Sequence, residues 1–233
     1  MRSRSRIIGS LGQPLLFLLA LGYGFGPVFQ KAGQGSYIQF LVPGIIAMSI
    51  LFTSIFSGIE IIWDRQFGFL KETLVAPVPR VHIMIGRTLG GATIATIQGI
   101  IVLLISFFAG FRLSNFATLP LLLFIMFLIA LLFTALGTAI ASWLEDMQGF
   151  QLIMNFLVMP IFFLSGALFP LQGLPPAIAL ITRLDPLSYG VDALRIILLG
   201  AGKFGLLQDI TILGAITLVC LWAGSYLFSK IQL

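Results

Sequence analysis

The chain has 233 residues, of which 59% are hydrophobic and only 9% charged, and its mean hydropathy is +1.10. Soluble domains carry about 25% charged residues, so this composition excludes a water-facing globule and implies a polytopic membrane protein. A net charge of +5 and a pI near 9.8 could suit nucleic acid, but the basic residues are scattered at the ends of apolar runs with no patch and no interleaved aromatics, which excludes that partner and fits membrane topology.

Runs of about 20 apolar residues, the length that crosses a bilayer, predict spans near 7–28, 38–62, 83–110, 116–143, 150–169 and 207–229. The first run is too long for a signal peptide, and no small-residue cleavage pattern follows it. The third and fourth are longer than a bilayer needs, which implies tilt or extension beyond it. Six spans place both termini on one side. With the N-terminus inside, Arg2, Arg4, Arg6, Arg65, Lys71, Arg80, Arg87 and Lys230 are cytoplasmic, whereas Lys31, Arg112, Arg183, Arg195 and Lys203 are outside. Arg183, Arg195 and Lys203 lie in one long connection, so the short external loops are poor in basic residues, as the positive-inside rule requires. The expected fold is therefore all-α integral membrane: six transmembrane helices, N-in and C-in, forming a single domain over residues 1–233. Small-residue pairs at helical spacing (Gly22 and Gly26, Gly86 and Gly90, Gly137 and Ala141) predict close helix approach within one bundle or at a dimer face.

Between the second and third spans lies the segment 63–80, WDRQFGFLKETLVAPVPR. Asp64, Arg65, Lys71 and Glu72 are polar, while Phe67, Phe69, Leu70, Leu74 and Val75 line one flank. The pattern predicts a short amphipathic helix at the membrane surface, stopped by Ala76-Pro77-Val78-Pro79. It reads either as an interfacial connector or as a docking knob for a soluble partner.

The external segment 170–206 cannot be a span, because Pro170, Pro175, Pro176 and Pro186 interrupt any helix and Arg183, Asp185, Asp192 and Arg195 carry charge. Residues 174–179 and 189–199 are apolar enough to form short helices that partly re-enter the membrane. Pro175 and Pro176 suit a helix start, and Asp185-Pro186 separates the two helices. Phe162, Phe163, Phe169 and Tyr189 suit either contact with a lipophilic molecule or interfacial anchoring. Asp192 and Arg195 read as an external gate or as a local pair.

The span centres contain no Asp, Glu, Lys, Arg or His; Glu60 and Arg87 lie near an interface. Ion-coupled carriers need a titrating group at depth, so energy must come from elsewhere. Gly200-Ala201-Gly202-Lys203 is not a phosphate loop, since Ile197 stands where its first glycine is needed and Phe204 replaces Ser or Thr. The glycines at 22, 24 and 26 follow no strand and make no dinucleotide site. His82 is the lone histidine and has no catalytic or metal-binding companions, and the lone Cys220 can form no internal disulfide. No catalytic residue, metal site or cofactor is expected.

The segment 63–80 resembles the first signature of the type-2 ABC exporter permeases: an acidic–basic pair, an aromatic, a glycine and a leucine-rich turn closed by proline. Phe163-Leu164-Ser165-Gly166, Phe169-Pro170, Leu174-Pro175, Asp185-Pro186-Leu187 and Tyr189-Gly190-Val191-Asp192-Ala193-Leu194-Arg195 are similar to that family's second signature. The daunorubicin-resistance and nodulation-factor exporter branches are the ones most resembled. The resemblance implies the membrane half of an ATP-driven transporter in a prokaryotic inner membrane. It implies two six-span subunits, alike or merely similar, around one path, each with its own ABC ATPase. It assigns Arg65, Phe67, Gly68, Phe69, Leu70, Lys71 and Glu72 to a coupling helix that contacts the ATPase. It assigns Phe169, Pro170, Asp185, Tyr189, Asp192 and Arg195 to the external gate or path. The family carries an amphipathic helix before the first span, whereas only Met1–Arg6 precede the apolar run here. Paths with little charge at depth suit a lipophilic drug, a lipid or a lipid-linked glycan. A non-transporting membrane assembly or sensor component on the same fold is the alternative.

Overall fold

A computed structural model describes residues 3–31, 36–75, 77–113, 115–171 and 175–230, and no strand occurs among them. In chain order the helices are α1 (Ser3–Lys31), α2 (Tyr37–Ser57), α3 (Ile59–Gln66), α4 (Phe69–Val75), α5 (Arg80–Phe108), α6 (Leu119–Trp143), α7 (Met147–Leu164), α8 (Pro176–Leu184), α9 (Pro186–Leu199) and α10 (Leu206–Ser229). Six stretches are long and apolar enough to cross a membrane: Leu11–Lys31, Tyr37–Gln66, Arg80–Phe108, Phe116–Trp143, Met147–Leu164 and Leu206–Ser229. Ala76, within the expected stop signal, and Leu174, at the expected start of the first outer helix, lie outside the described residues, as does Arg2.

Local chemistry sets several boundaries. Gly58 keeps a helical φ of −59°, so α3 continues α2 past the expected end at residue 62. α7 stops at Leu164 rather than near 169, because Gly166 adopts a φ of +77° that an L side chain resists. Asp146 caps α7 by accepting the Gly149 N–H, and Asp185 caps α9 by accepting the Leu187 N–H at 2.9 Å, with Pro186 in the first turn. Gly200 closes α9 in the left-handed conformation.

The core is formed by α2, α5 and α6, with α9 inserted against α2, α6 and α10. Residues 41–51 of α2 are all buried. In lipid the apolar effect does not drive helices together, so close packing and satisfied polar groups must hold the bundle. A Cβ on Gly58 would lie 2.5 Å from the Gly137 carbonyl oxygen, and one on Gly137 would lie 2.5 Å from that of Ile55. The second and fourth spans therefore cross backbone to backbone. Several hydroxyls within spans return to the preceding turn, as Thr88 does to the Met84 carbonyl at 2.9 Å and Thr217 to that of Leu213 at 2.7 Å, whereas the buried hydroxyls of Ser49, Ser54 and Thr134 have no partner among the described residues. The expected close approach at Gly86, Gly90 and Gly26 is absent among the described residues, because a Cβ at any of the three would meet nothing there within 4 Å. Gly22 touches only the Ile38 side chain. Spacing alone marks a stripe of small residues; it does not say that a neighbour lies on it.

The candidate functional site

Polar contacts gather at the two ends of the bundle. At one end, Gly68 has a φ of +81° and breaks the chain between α3 and α4. That turn sends Phe67 and Phe69 outward, 65% and 58% exposed, beside exposed Trp63, whose ring meets Phe67 edge-on at 6.1 Å. Lys71 and Glu72 are also exposed. Leu70 corrects the expectation: it is fully buried in the core, so it anchors α4 to the bundle and cannot contact a partner. Arg65 is likewise engaged inside the chain. Its Nη2 donates to Glu145 Oε1 at 2.7 Å and its Nη1 to the Leu144 carbonyl at 3.5 Å. Asp64 pairs with Arg87, and Arg80 donates to the Ser229 carbonyl at 2.8 Å, so the ends of the second, third, fourth and sixth spans meet here.

At the opposite end, α9 is almost wholly buried and α8 is mostly exposed. The Asp192 carboxylate accepts the Lys203 backbone N–H at 2.7 Å and the Phe204 N–H at 2.8 Å, closing the loop between α9 and α10. Arg195 does not form an ion pair with Asp192. Its Nη2 donates to the Gly166 carbonyl at 2.6 Å, and its guanidinium lies 4.0 Å from the Phe40 ring centroid. Burial lowers its pKa to about 10, against the opposing pull of Asp192 and Tyr37, so it remains cationic at neutral pH. The Tyr37 hydroxyl donates to the Leu168 carbonyl at 3.0 Å. Tyr189 donates to the Arg183 carbonyl at 2.8 Å and packs on Phe204 with ring centroids 4.9 Å apart. Phe169 is 56% exposed, and Pro170 is half-buried.

The structure thus brings Tyr189, Asp192, Arg195 and Asp185 into one buried cap, with Phe169 at its rim. Sequence reasoning missed Glu145 at the first end and Tyr37, Phe40 and Gly44 at the second. The spacing of the last three, which places them along one side of the N-terminal part of α2, was the available signal.

Burial pushes the Asp185 carboxyl up to about 7, although the Leu187 N–H and the Ser188 hydroxyl pull it down. The folded chain therefore keeps a proton that the unfolded chain releases from a pH of about 4 upward. Stability from this group falls as pH rises to about 7 and is level above that, with a slope of at most about 1.4 kcal/mol per pH unit. Asparagine retains the cap and has no charge to bury. Asp185→Asn should therefore gain stability over wild type progressively across this window. Detergent unfolding curves at pH 5 and pH 8 check this; an equal difference at both values would contradict it.

The sequence profile of the ABC-2 type transporter family matches residues 1–199. A protein of Cyanophora paradoxa named as a transport permease, ycf38, is 32% identical over 196 residues, which span 81% of this chain and 66% of that protein. Nodulation protein J of Rhizobium meliloti (strain 1021) is 29% identical over 197 residues, spanning 84% of this chain and 74% of that protein. The ycf38 permease of Porphyra purpurea is 32% identical over 203 residues, spanning 84% of this chain and 68% of its own. The chain thus spans about two thirds of the length of these algal relatives. With six apolar spans and a profile match over most of its length, the chain is a multi-pass membrane protein that belongs to the ABC-2 type transporter family.

Proposed function

We propose that this chain is the membrane-spanning subunit of an ATP-driven exporter, with α4 and the turn before it docking a separate ABC ATPase. Two six-span subunits, either two copies of this chain or this chain and a similar permease, assemble with two ATPases. Residues 64–80 and the C-terminus face the cytoplasm, and residues 31–37 and 170–206 face outside, which follows the distribution of Lys and Arg. The substrate class that fits is a lipophilic drug, a lipid or a lipid-linked glycan, because the span centres offer no charge to a polar one.

The observation that carries the reading is the pair Phe67 and Phe69. Phe69 opens α4 and Phe67 ends the turn of α3 before it, and both rings project outward, whereas Leu70, the next residue of α4, is locked in the core. Exposed aromatics beside charged Lys71 and Glu72 make an apolar plug with a steering rim, the arrangement that a cleft in a partner requires. The absence of titrating groups at span centres supports an external energy source.

The test is affinity purification of the intact permease, native mass spectrometry, and labelling of a cysteine at position 72 in a chain lacking Cys220. Two permeases with two ATPases are expected, with position 72 closed to impermeant reagent from outside and shielded inside by bound ATPase. A single permease beside two ATPases, or labelling from outside, would refute the reading.

A further inference from the structure

The α3–α4 unit is tied to the bundle by two kinds of link. Asp64 and Arg87 flank the segment between them, so their ion pair closes the base of that loop. Arg65 and Gln66 reach elsewhere, to the turn between α6 and α7. Arg65 meets Glu145 at 2.7 Å, and Gln66 Nε2 donates to the Glu145 carbonyl at 3.4 Å. The next residue, Asp146, is the N-cap of α7. α7 packs inward along a single stripe, Phe150, Met154, Val158 and Phe162, while Leu152 and Phe156 on its other side are 72% and 85% exposed. Where α2 gives way to α3, the chain crosses the fourth span at the Gly58–Gly137 contact, where backbone meets backbone.

We propose that Arg65 and Glu145 are positioning residues that join the docking segment to the base of α7, so that a displacement of α4 moves the fifth span. This rests on the reading of α4 as the ATPase-docking helix. Energetic coupling across a protein is carried by polar links between rigid elements that have two arrangements. Here the link runs from α3 to the cap of a span held by one stripe only. Glu145 is 78% exposed, so the pair adds little to stability and its removal leaves the fold intact. Its effect is a bias on where α7 sits, about two- to fivefold in population, the range that an exposed ion pair can supply.

The permease with its copurified ATPase, reconstituted in nanodiscs, carries spin labels at positions 148 and 230, both exposed, at the base of α7 and the end of α10. The inter-label distance is measured without nucleotide and after trapping with ATP and vanadate. Trapping should shift the distance in the otherwise wild-type chain. Arg65→Ala and Glu145→Ala should each still copurify with the ATPase but lower the shifted population about two- to fivefold. The charge swap R65E/E145R should restore it, which a merely structural role would not predict. An unshifted wild type, a full shift in either single variant, or a swap no better than the singles overturns the inference. If no ATPase copurifies with wild type, the docking reading itself fails and this inference falls with it. That result differs from a trapped complex whose α7 ignores Arg65.

Discussion

Replacing Phe67 and Phe69 together by Ala should leave the permease inserted and folded while removing its grip on the ATPase. Both rings are more than half exposed, so truncating them opens no cavity, and Leu70 still holds α4 against the core. Aromatic anchors at the centre of an interface are each worth about 2 kcal/mol or more, and 1.4 kcal/mol is tenfold in affinity. Loss of both should therefore weaken ATPase binding by more than about a hundredfold, and permease-dependent ATP hydrolysis should fall with it. Leu70→Ala should behave in the opposite way. It removes a fully buried side chain and should cost about 2–5 kcal/mol of stability. Titrating purified ATPase against each variant in nanodiscs, beside thermal unfolding of the same samples, separates the two effects. If the double variant binds the ATPase with wild-type affinity, the docking role of α4 is wrong.

How far the sequence could be read depends on how local each constraint is. The spans were legible because lipid leaves the backbone no alternative to a helix over an apolar run. Asp185-Pro186 was legible as a helix boundary because a cap and a first-turn proline act within a few residues. Leu70 was misread for a physical reason: seven residues of amphipathic pattern define a face but not what covers it, and the positive φ of Gly68 rotates that face inward. Asp192 was read as part of a gate or as a local pair with Arg195, because the amides that satisfy it belong to Lys203 and Phe204, in the loop after its own helix. Glu145 was invisible because its partner Arg65 is 80 residues away and no local pattern announces the pair. Gly86 and Gly90 share the spacing of a packing stripe with Gly137 and Ala141, yet of the three glycines only Gly137 has another described helix pressed on it. Spacing encodes which residues share a face, and tertiary contact decides what that face does.

Gly44→Ala should give the largest loss of stability obtainable from one added methyl group. A Cβ at this position of α2 would stand 2.2 Å from the Ala167 carbonyl oxygen, 2.7 Å from its carbonyl carbon and 2.8 Å from its Cα. These are backbone atoms, so no side chain can swing aside. The loop carrying them is also pinned on both sides, by Tyr37 to the Leu168 carbonyl and by Arg195 to that of Gly166. Relieving the clash means pushing residues 165–171 off α2, which strands the guanidinium of Arg195 and uncovers this end of the bundle. Overpacking typically costs 1–3 kcal/mol, and a collision with fixed backbone belongs at the top of that range, about 3 kcal/mol. For a chain of this size that lowers the unfolding temperature by about 6–12 °C. Gly90→Ala is the matched control. It adds the same methyl inside a helix with nothing within 4 Å, and should be neutral or stabilising by about 0.5–1 kcal/mol, because alanine restricts the unfolded chain. Equal unfolding temperatures for the two variants would show that the loop after α7 does not rest on α2 as closely as Gly44 requires. The same loop carries Phe169 and Pro170 at the rim of the cap formed around α9. Its displacement by a methyl group more than 120 residues away in the chain would therefore disturb this end of the bundle without any charged residue being replaced.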